Sequence, residues 1–451
     1  MNALRFNRSD YTMLVLAGLL MFVWSLPDMI ALRIGLAVLL LSLGLWKSRG
    51  PAWPDIRRAF QANGTVWGLY LLLTGWIIVQ ALLFALHRDI ALKEIWGQWI
   101  RSGLTGLAGF LLAVHILRNR PHLGGPILAL TMALVLASQV LIHDADTLWR
   151  WWHEGQFPFQ QTRLVHNRSF LSFVTNLLLG FLCAETMARL LYRHRYLPIR
   201  SPWLAALFLA CFFATYALGT RNGTLGVLGL LISSAIVLLI GKRREIHWVR
   251  LACIALLAGS AISWFGWITF KSDARWNNFL ATIPIALDTE HQDAWKNPDL
   301  PFPQLPDGST AEESAYLRLA WGKEAVKAIV HNPLGVGFGR SAFGQAMQQE
   351  HPDYTSTVHS HSGILDFTVG VGFPGLILWL AFIGALAAKG WRAFFRNQNP
   401  AGLLLLFLVT GYCARGVVDS NIRDHMLEQF MFLALLVGTL ASEDERAALP
   451  A

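Results

Sequence analysis

Runs of apolar residues long enough to cross a lipid bilayer recur from one end of this chain to the other. In lipid no water can satisfy a backbone amide, so each crossing must be a helix or part of a closed barrel. About twelve segments reach the roughly 17–25 residues that a helical crossing needs. They lie near 11–26, 28–46, 66–87, 103–118, 126–143, 169–191, 203–219, 224–240, 249–269, 363–387, 401–418 and 427–441. Hydrophobic residues make up 54% of the chain and charged residues 14%, against about 25% charged in soluble domains. The expected fold class is therefore an all-α integral membrane protein. The first run follows a short basic head (Arg5, Arg8) with no small-x-small site near its end, and is taken as a retained span. The four cysteines, Cys183, Cys211, Cys253 and Cys413, all fall inside apolar runs. Neither a disulfide framework nor structural zinc is expected from them.

The net charge of +9 invites a nucleic-acid reading, but its placement argues otherwise. Basic clusters occupy alternate connections: Lys47/Arg49/Arg57/Arg58, Arg118/Arg120, Arg193/Arg195/Arg200, Lys242/Arg243/Arg244 and Lys389/Arg392/Arg396. The positive-inside rule makes those faces, and both termini, cytoplasmic. Residues 270–362 then emerge on the opposite face as one polar segment far longer than ordinary connections, which marks a functional insertion. The expected organisation is a membrane bundle over 1–269, a partly helical external segment over 270–362, and closing membrane helices over 363–451.

Polar residues in or beside the spans are the candidate functional groups. Arg33 lies inside the second span, where an arginine either snorkels to the interface or faces protein. Segment 88–102, RDIALKEIWGQWIRS, reads as a helix lying on the outer surface, with Lys93 and Arg101 near lipid headgroups. Trp149, Trp151 and Trp152 suit either the interfacial belt or a sugar face. Arg163, His166, Asn167 and Arg168 follow as an anion shelf, for lipid phosphate or for substrate. A tight outer hairpin, Gly219–Gly223, projects Arg221 at the membrane boundary. Its planar fork suits headgroups or a diphosphate.

Within the external segment, Thr310 three residues before Glu313 suggests a capping box. Tyr316/Leu317, Ala320/Trp321, Ala325 and Ile329 then recur at helical spacing up to Asn332-Pro333. Arg318 borders that stripe, either as a surface residue or at the edge of a cleft. The run Pro333–Arg340 alternates glycines; it is either a tight turn under a helix or a weak phosphate cradle. His359, Ser360 and His361 immediately precede the tenth span, which Ser362 is placed to cap. The positive helix end favours neutral histidine, as a general base near neutral pH requires. His-x-His with Asp366 is a thin set for a metal. Arg415 and the stretch DSNIRDH add positive groups at the outer rim.

TRNGTLG at a short external turn, RLAWGKEAV, NPLGVGFG and HSHSGILDFTVGVGFPGLILWL occur in this order. Together they resemble the O-antigen ligase and polymerase superfamily of bacterial inner membranes, mostly over the C-terminal half. Where that family frequently has His-Asn, this chain has His361-Ser362. The resemblance implies a GT-C-like glycosyltransferase working on the periplasmic face without cofactor or metal. It implies an undecaprenyl-diphosphate-linked glycan as donor and a sugar hydroxyl of lipid A–core as acceptor. Carried onto matching positions, it implies His361 as base, with Arg221 and Arg318 on the diphosphate. His359, Arg340, Arg163, Arg168 and Arg415 are second-tier candidates. An O-antigen polymerase or a protein O-oligosaccharyltransferase would share the donor. A secondary transporter or flippase would instead place its polar site near mid-membrane.

Overall fold

The computed structural model describes residues 7–165, 167–242 and 278–442, with a few positions between 256 and 268. The expected ninth span (249–269), Arg243, Arg244 and His166 lie outside the described residues, apart from those few positions. The described chain is helical, with one isolated bridge between Gln304 and Thr310.

The helices are α1 (Arg8–Val23), α2 (Ile30–Lys47), α3 (Trp53–Ala62), α4 (Gly64–Leu83), α5 (Arg88–Glu94) and α6 (Arg101–Asn119). There follow α7 (Gly124–Glu154), α8 (Arg168–Tyr192), α9 (Ser201–Leu218) and α10 (Arg221–Lys242). The external segment forms α11 (Phe279–Ala286), α12 (Glu313–His331) and α13 (Ala342–Glu350). The chain closes with α14 (Gly363–Asn397), α15 (Ala401–Gly416) and α16 (Asp424–Leu440). Among the described residues, each expected span except the ninth coincides with a helix, and 8 helical runs are long and apolar enough to cross a membrane. At 16, 16 and 17 residues, α1, α15 and α16 fall at or just below the lower limit of the roughly 17–25 residues of a helical crossing.

Three boundaries differ from expectation. Segment 88–102 is no separate surface helix: α5 runs through a π-helical turn, Ile95–Ile100, straight into α6. That turn buries Gln98 and Trp99, while Arg101 pairs with Glu428 of α16. α7 continues to Glu154 over 31 residues. At about 1.5 Å per residue this exceeds a hydrocarbon core of about 30 Å, so its tryptophan-bearing end projects beyond it. Thr310 does not cap α12. The cap is Glu312, whose carboxylate accepts from the Ala315 amide.

Core position follows from small residues. Gly106 and Gly109 on α6 sit against the backbone of Met431 and Phe432 on α16, where an added Cβ would stand 3.2 and 2.4 Å from carbonyl oxygens. Such close approach is how membrane helices gain dispersion contacts without a hydrophobic drive. Arg33 donates to the Trp24 carbonyl at the end of α1 (3.1 Å), so it faces protein.

Helix α14 is broken at Gly372 (φ 68°, ψ −175°), a conformation nearly restricted to glycine. The glycine-rich turn repairs the break. Val336 and Gly337 amides donate to the Val369 and Gly370 carbonyls (2.9 and 3.0 Å), and Phe373 N–H donates to Pro333 O (2.9 Å). Trp76 Nε1 takes the Val371 carbonyl at 2.7 Å. Those loop amides are thus used by the helix, and the phosphate-cradle reading is overturned. A Cβ at Gly372 would lie 2.4 Å from Pro333 O and Leu334 C. Gly372→Ala is expected to cost roughly 2–6 kcal/mol through strain and overlap. Gly384→Ala on the same helix, with open space around it, leaves thermal stability in detergent unchanged.

Candidate functional site

The external segment has a hydrophobic core of its own. Trp295, Tyr316, Ala320, Trp321, Ala325, Phe343 and Met347 bury together, so the stripe read from the sequence is the inner face of α12. This packing fixes the direction in which α12 presents its remaining residues. Arg318 comes out half-buried, near enough to the histidine loop for its charge to act on both His359 and His361.

The loop His359–Ser362 is held at both ends. Asp366, in the first turn of α14, accepts the Ser360 amide (2.7 Å) and the Ser420 hydroxyl. Ser362 caps α14 as expected, accepting from Leu365 N–H. His361 is in the left-handed region (φ 62°) although it is not glycine, a strained state that persists only where surroundings enforce it. Its ring stacks on Trp321 (5.5 Å, 20°) and lies 4.3 Å from the His359 ring. Thr357 Oγ1 is 3.1 Å from His359 Nδ1. With Asp366 engaged by its serines, the His-x-His pair gains no third ligand there. Among the described residues, the group spaced to share a metal is Glu324, Glu350 and His351, elsewhere on the external segment.

Burial and positive neighbours both act on these histidines. Desolvation, then the Arg318 guanidinium and Arg423, lower His361 to about 4, against some relief from Asp419. His359 is lowered to about 3 by burial, then by Arg423, His361 and Arg318. Burial and the neighbouring arginines therefore keep His361 neutral. The sign is clear: His361 is unprotonated above about pH 4 and loses its base form only as pH falls through that value. If it is the base, transfer stays flat between about pH 8 and 5, where an ordinary histidine near 6.5 would lose activity. A pH–rate profile checks this, and Arg423→Gln moves the acid limb upward.

Arg221 is the first residue of α10, placed there by the left-handed Gly219 that ends α9 (φ 53°). Its Nη1 meets Glu312 Oε2 at 3.1 Å, with both side chains largely buried. Arg221 and Arg318 are thereby brought to the same external helix, α12. The next residue, Asn222, donates to Asp419 Oδ2 (2.9 Å), and the Asp419 carbonyl accepts from Gly363 N–H (2.9 Å). Asp419 thus ties the start of α10 to the start of α14, beside the histidines.

A small cavity of about 20 Å³ opens next to this cluster, lined by Gln98, Arg340, Asp366, Ser420 and Arg423 among others. Arg340 is engaged there by Glu94 (3.0 Å) and Asp424 (3.2 Å). Arg415, expected as a charge at the outer rim, is not exposed there. It is fully buried, held by Asp419 (2.7 Å), Ser172 (3.1 Å) and the Ser169 carbonyl (2.7 Å). Arg163 and Arg168 line a different, open cavity. Sequence reading missed Arg423, Asp419 and Glu312 as individual site residues. The first two lie in the polar stretch after α15, and that polarity was the only available signal.

These features define a multi-pass helical membrane protein with a buried, neutral histidine pair and several arginines gathered at one end of its bundle. Residues 205–380 match the family model described as O-antigen ligase. The matched segment is less than half of the chain, and it is that segment that is similar to the family. The match takes in Arg221, Arg318, Arg340, His359 and His361, and leaves Arg163, Arg168 and Arg415 outside it. No curated protein matches the chain.

Proposed function

We propose that this protein is an O-antigen ligase of the bacterial inner membrane. It transfers a glycan from undecaprenyl diphosphate to a sugar hydroxyl of lipid A–core on the periplasmic face. The observation that carries the reading is one neutral, arginine-flanked histidine at the membrane boundary inside the family-matched segment. The basic group Lys389, Arg392 and Arg396 lies toward the far end of α14 from the histidines, which supports a periplasmic site and cytoplasmic termini.

In the proposed reaction an unprotonated ring nitrogen of His361 removes the acceptor hydroxyl proton as the oxygen attacks the anomeric carbon. A new glycosidic C–O bond forms and the C–O bond to the diphosphate breaks, with inversion. The diphosphate leaves with the electron pair, and Arg221 and Arg318 stabilise its growing charge. His361 then gives its proton to water. Residues 270–362 act as the lid over this site.

The test is a lipopolysaccharide gel from a strain lacking the protein, complemented at matched membrane levels. The expected deletion phenotype is core without attached repeats, while lipid-linked polymer accumulates. Core capped by a single repeat would make the protein a polymerase. An unchanged ladder would overturn the reading and direct attention to protein glycosylation or transport.

A further inference from the structure

The second cavity, about 630 Å³ and open, shares no residue with the first. It is lined by Arg150, Gln160, Gln161, Arg163, Asn167 and Arg168, together with Glu154 and Thr162. Three guanidinium groups thus face one carboxylate in the wall. Arg150 is 3% exposed, so its charge is fixed in the wall. Asp146 (3.1 Å) and Gln161 (2.9 Å) meet Nε and Nη1, while Nη2 makes no hydrogen bond. Arg163, on the open side, is only loosely met by Asp146 and Glu154 at 3.7 and 3.6 Å. The floor includes the N-terminal end of α8, where Asn167 caps and Arg168 begins the helix. A 25-residue helix presents its positive end there. The amide-bearing Gln160, Gln161 and Asn167 have the polarity of a saccharide site. Trp151 and Trp152 are exposed on the adjoining end of α7.

The cavity also adjoins the proposed centre. Gln160 N–H donates to Ala217 O (2.8 Å), and Gly219, two residues before Arg221, packs on Phe159 and Gln160. Resting on the ligase reading, we infer that this cavity is the acceptor subsite and that it binds an anionic group, phosphate or carboxylate, on the acceptor sugar. The proposed function assigns the donor diphosphate to Arg221 and Arg318, so the separate cationic cavity next to the turn that bears Arg221 falls to the second substrate. A charge-assisted pair of this kind is worth about tenfold or more in affinity.

The test uses the full chain in zwitterionic nanodiscs, with lipid-linked donor and lipid A–core either intact or stripped of phosphate. Arg163→Gln, at an exposed position, raises the KM for intact acceptor about tenfold, with kcat and donor KM within twofold; Arg163→Lys recovers most of the loss. Stripped acceptor gives the wild type the same penalty and the variant little further loss. Equal KM values for wild type and variant, or a rise in donor KM alone, overturn the inference. So does loss of co-purified anionic lipid from the variant with acceptor KM unchanged, which would make this a lipid-headgroup site. If the wild type transfers nothing, the ligase reading falls. Quenching of tryptophan fluorescence by intact but not stripped acceptor, weakened in Arg163→Gln, then still decides whether the cavity binds such a glycan.

Discussion

Replacing His361 by asparagine lowers the transfer rate about 10²–10⁴-fold, the usual contribution of a positioned general base. Asparagine is the informative substitution because His361 has φ 62°, a region asparagine tolerates better than most residues. The backbone of the loop can therefore persist while the basic nitrogen is lost. His361→Ala gives a similar rate but carries more strain. The check is turnover at matched protein with saturating donor and acceptor. His359→Ala is expected to fall less, since its ring supports His361 from 4.3 Å. A full lipopolysaccharide ladder from His361→Asn would remove His361 from the chemistry.

Arg221→Ala lowers transfer about 10²–10³-fold, the range seen when one preorganised donor to a developing charge is removed. Arg221→Lys keeps the charge but not the fork and recovers only part of it. A structural effect must be separated, because Arg221 also meets Glu312 at 3.1 Å. Removing the arginine leaves a largely buried carboxylate at the head of α12, a destabilising change in its own right. The double variant Arg221→Ala/Glu312→Gln relieves that carboxylate. It is expected to regain thermal stability without regaining turnover. Recovery of turnover would mean that Arg221 acts only by holding α12.

Much of this architecture is legible in the chain because apolar length and local periodicity are one-dimensional signals. The stripe Tyr316, Ala320, Trp321, Ala325 and Ile329 predicts the buried face of α12, and Ser362 predicts its own capping role. What escapes is set by partners distant in sequence. Nothing near Arg415 announces Ser169 and Ser172, so a buried tie between helices reads as a rim charge. Thr310 has the spacing of a cap, but Glu312 takes the position because it also meets Arg221, far back in the chain. The Gly335–Gly337 turn has the composition of an anion cradle, and its purpose is visible only with the break at Gly372. Arg423 and Asp419 lie in a stretch whose polarity is plain but whose facing histidines are not.

Glu312 has a further consequence. One carboxylate both closes the first turn of α12 and occupies the guanidinium of Arg221. In the proposed cycle an incoming anion must outbid an internal one already in place. A monoanion exchanges one negative charge for another and gains little; a diphosphate brings more charge and more acceptor oxygens. On that proposal Glu312 competes with the donor for Arg221 in the resting protein, which disfavours simple anions there. Under the same proposal, a donor that displaces Glu312 loosens its tie to Arg221, and substrate arrival then reaches the first turn of α12.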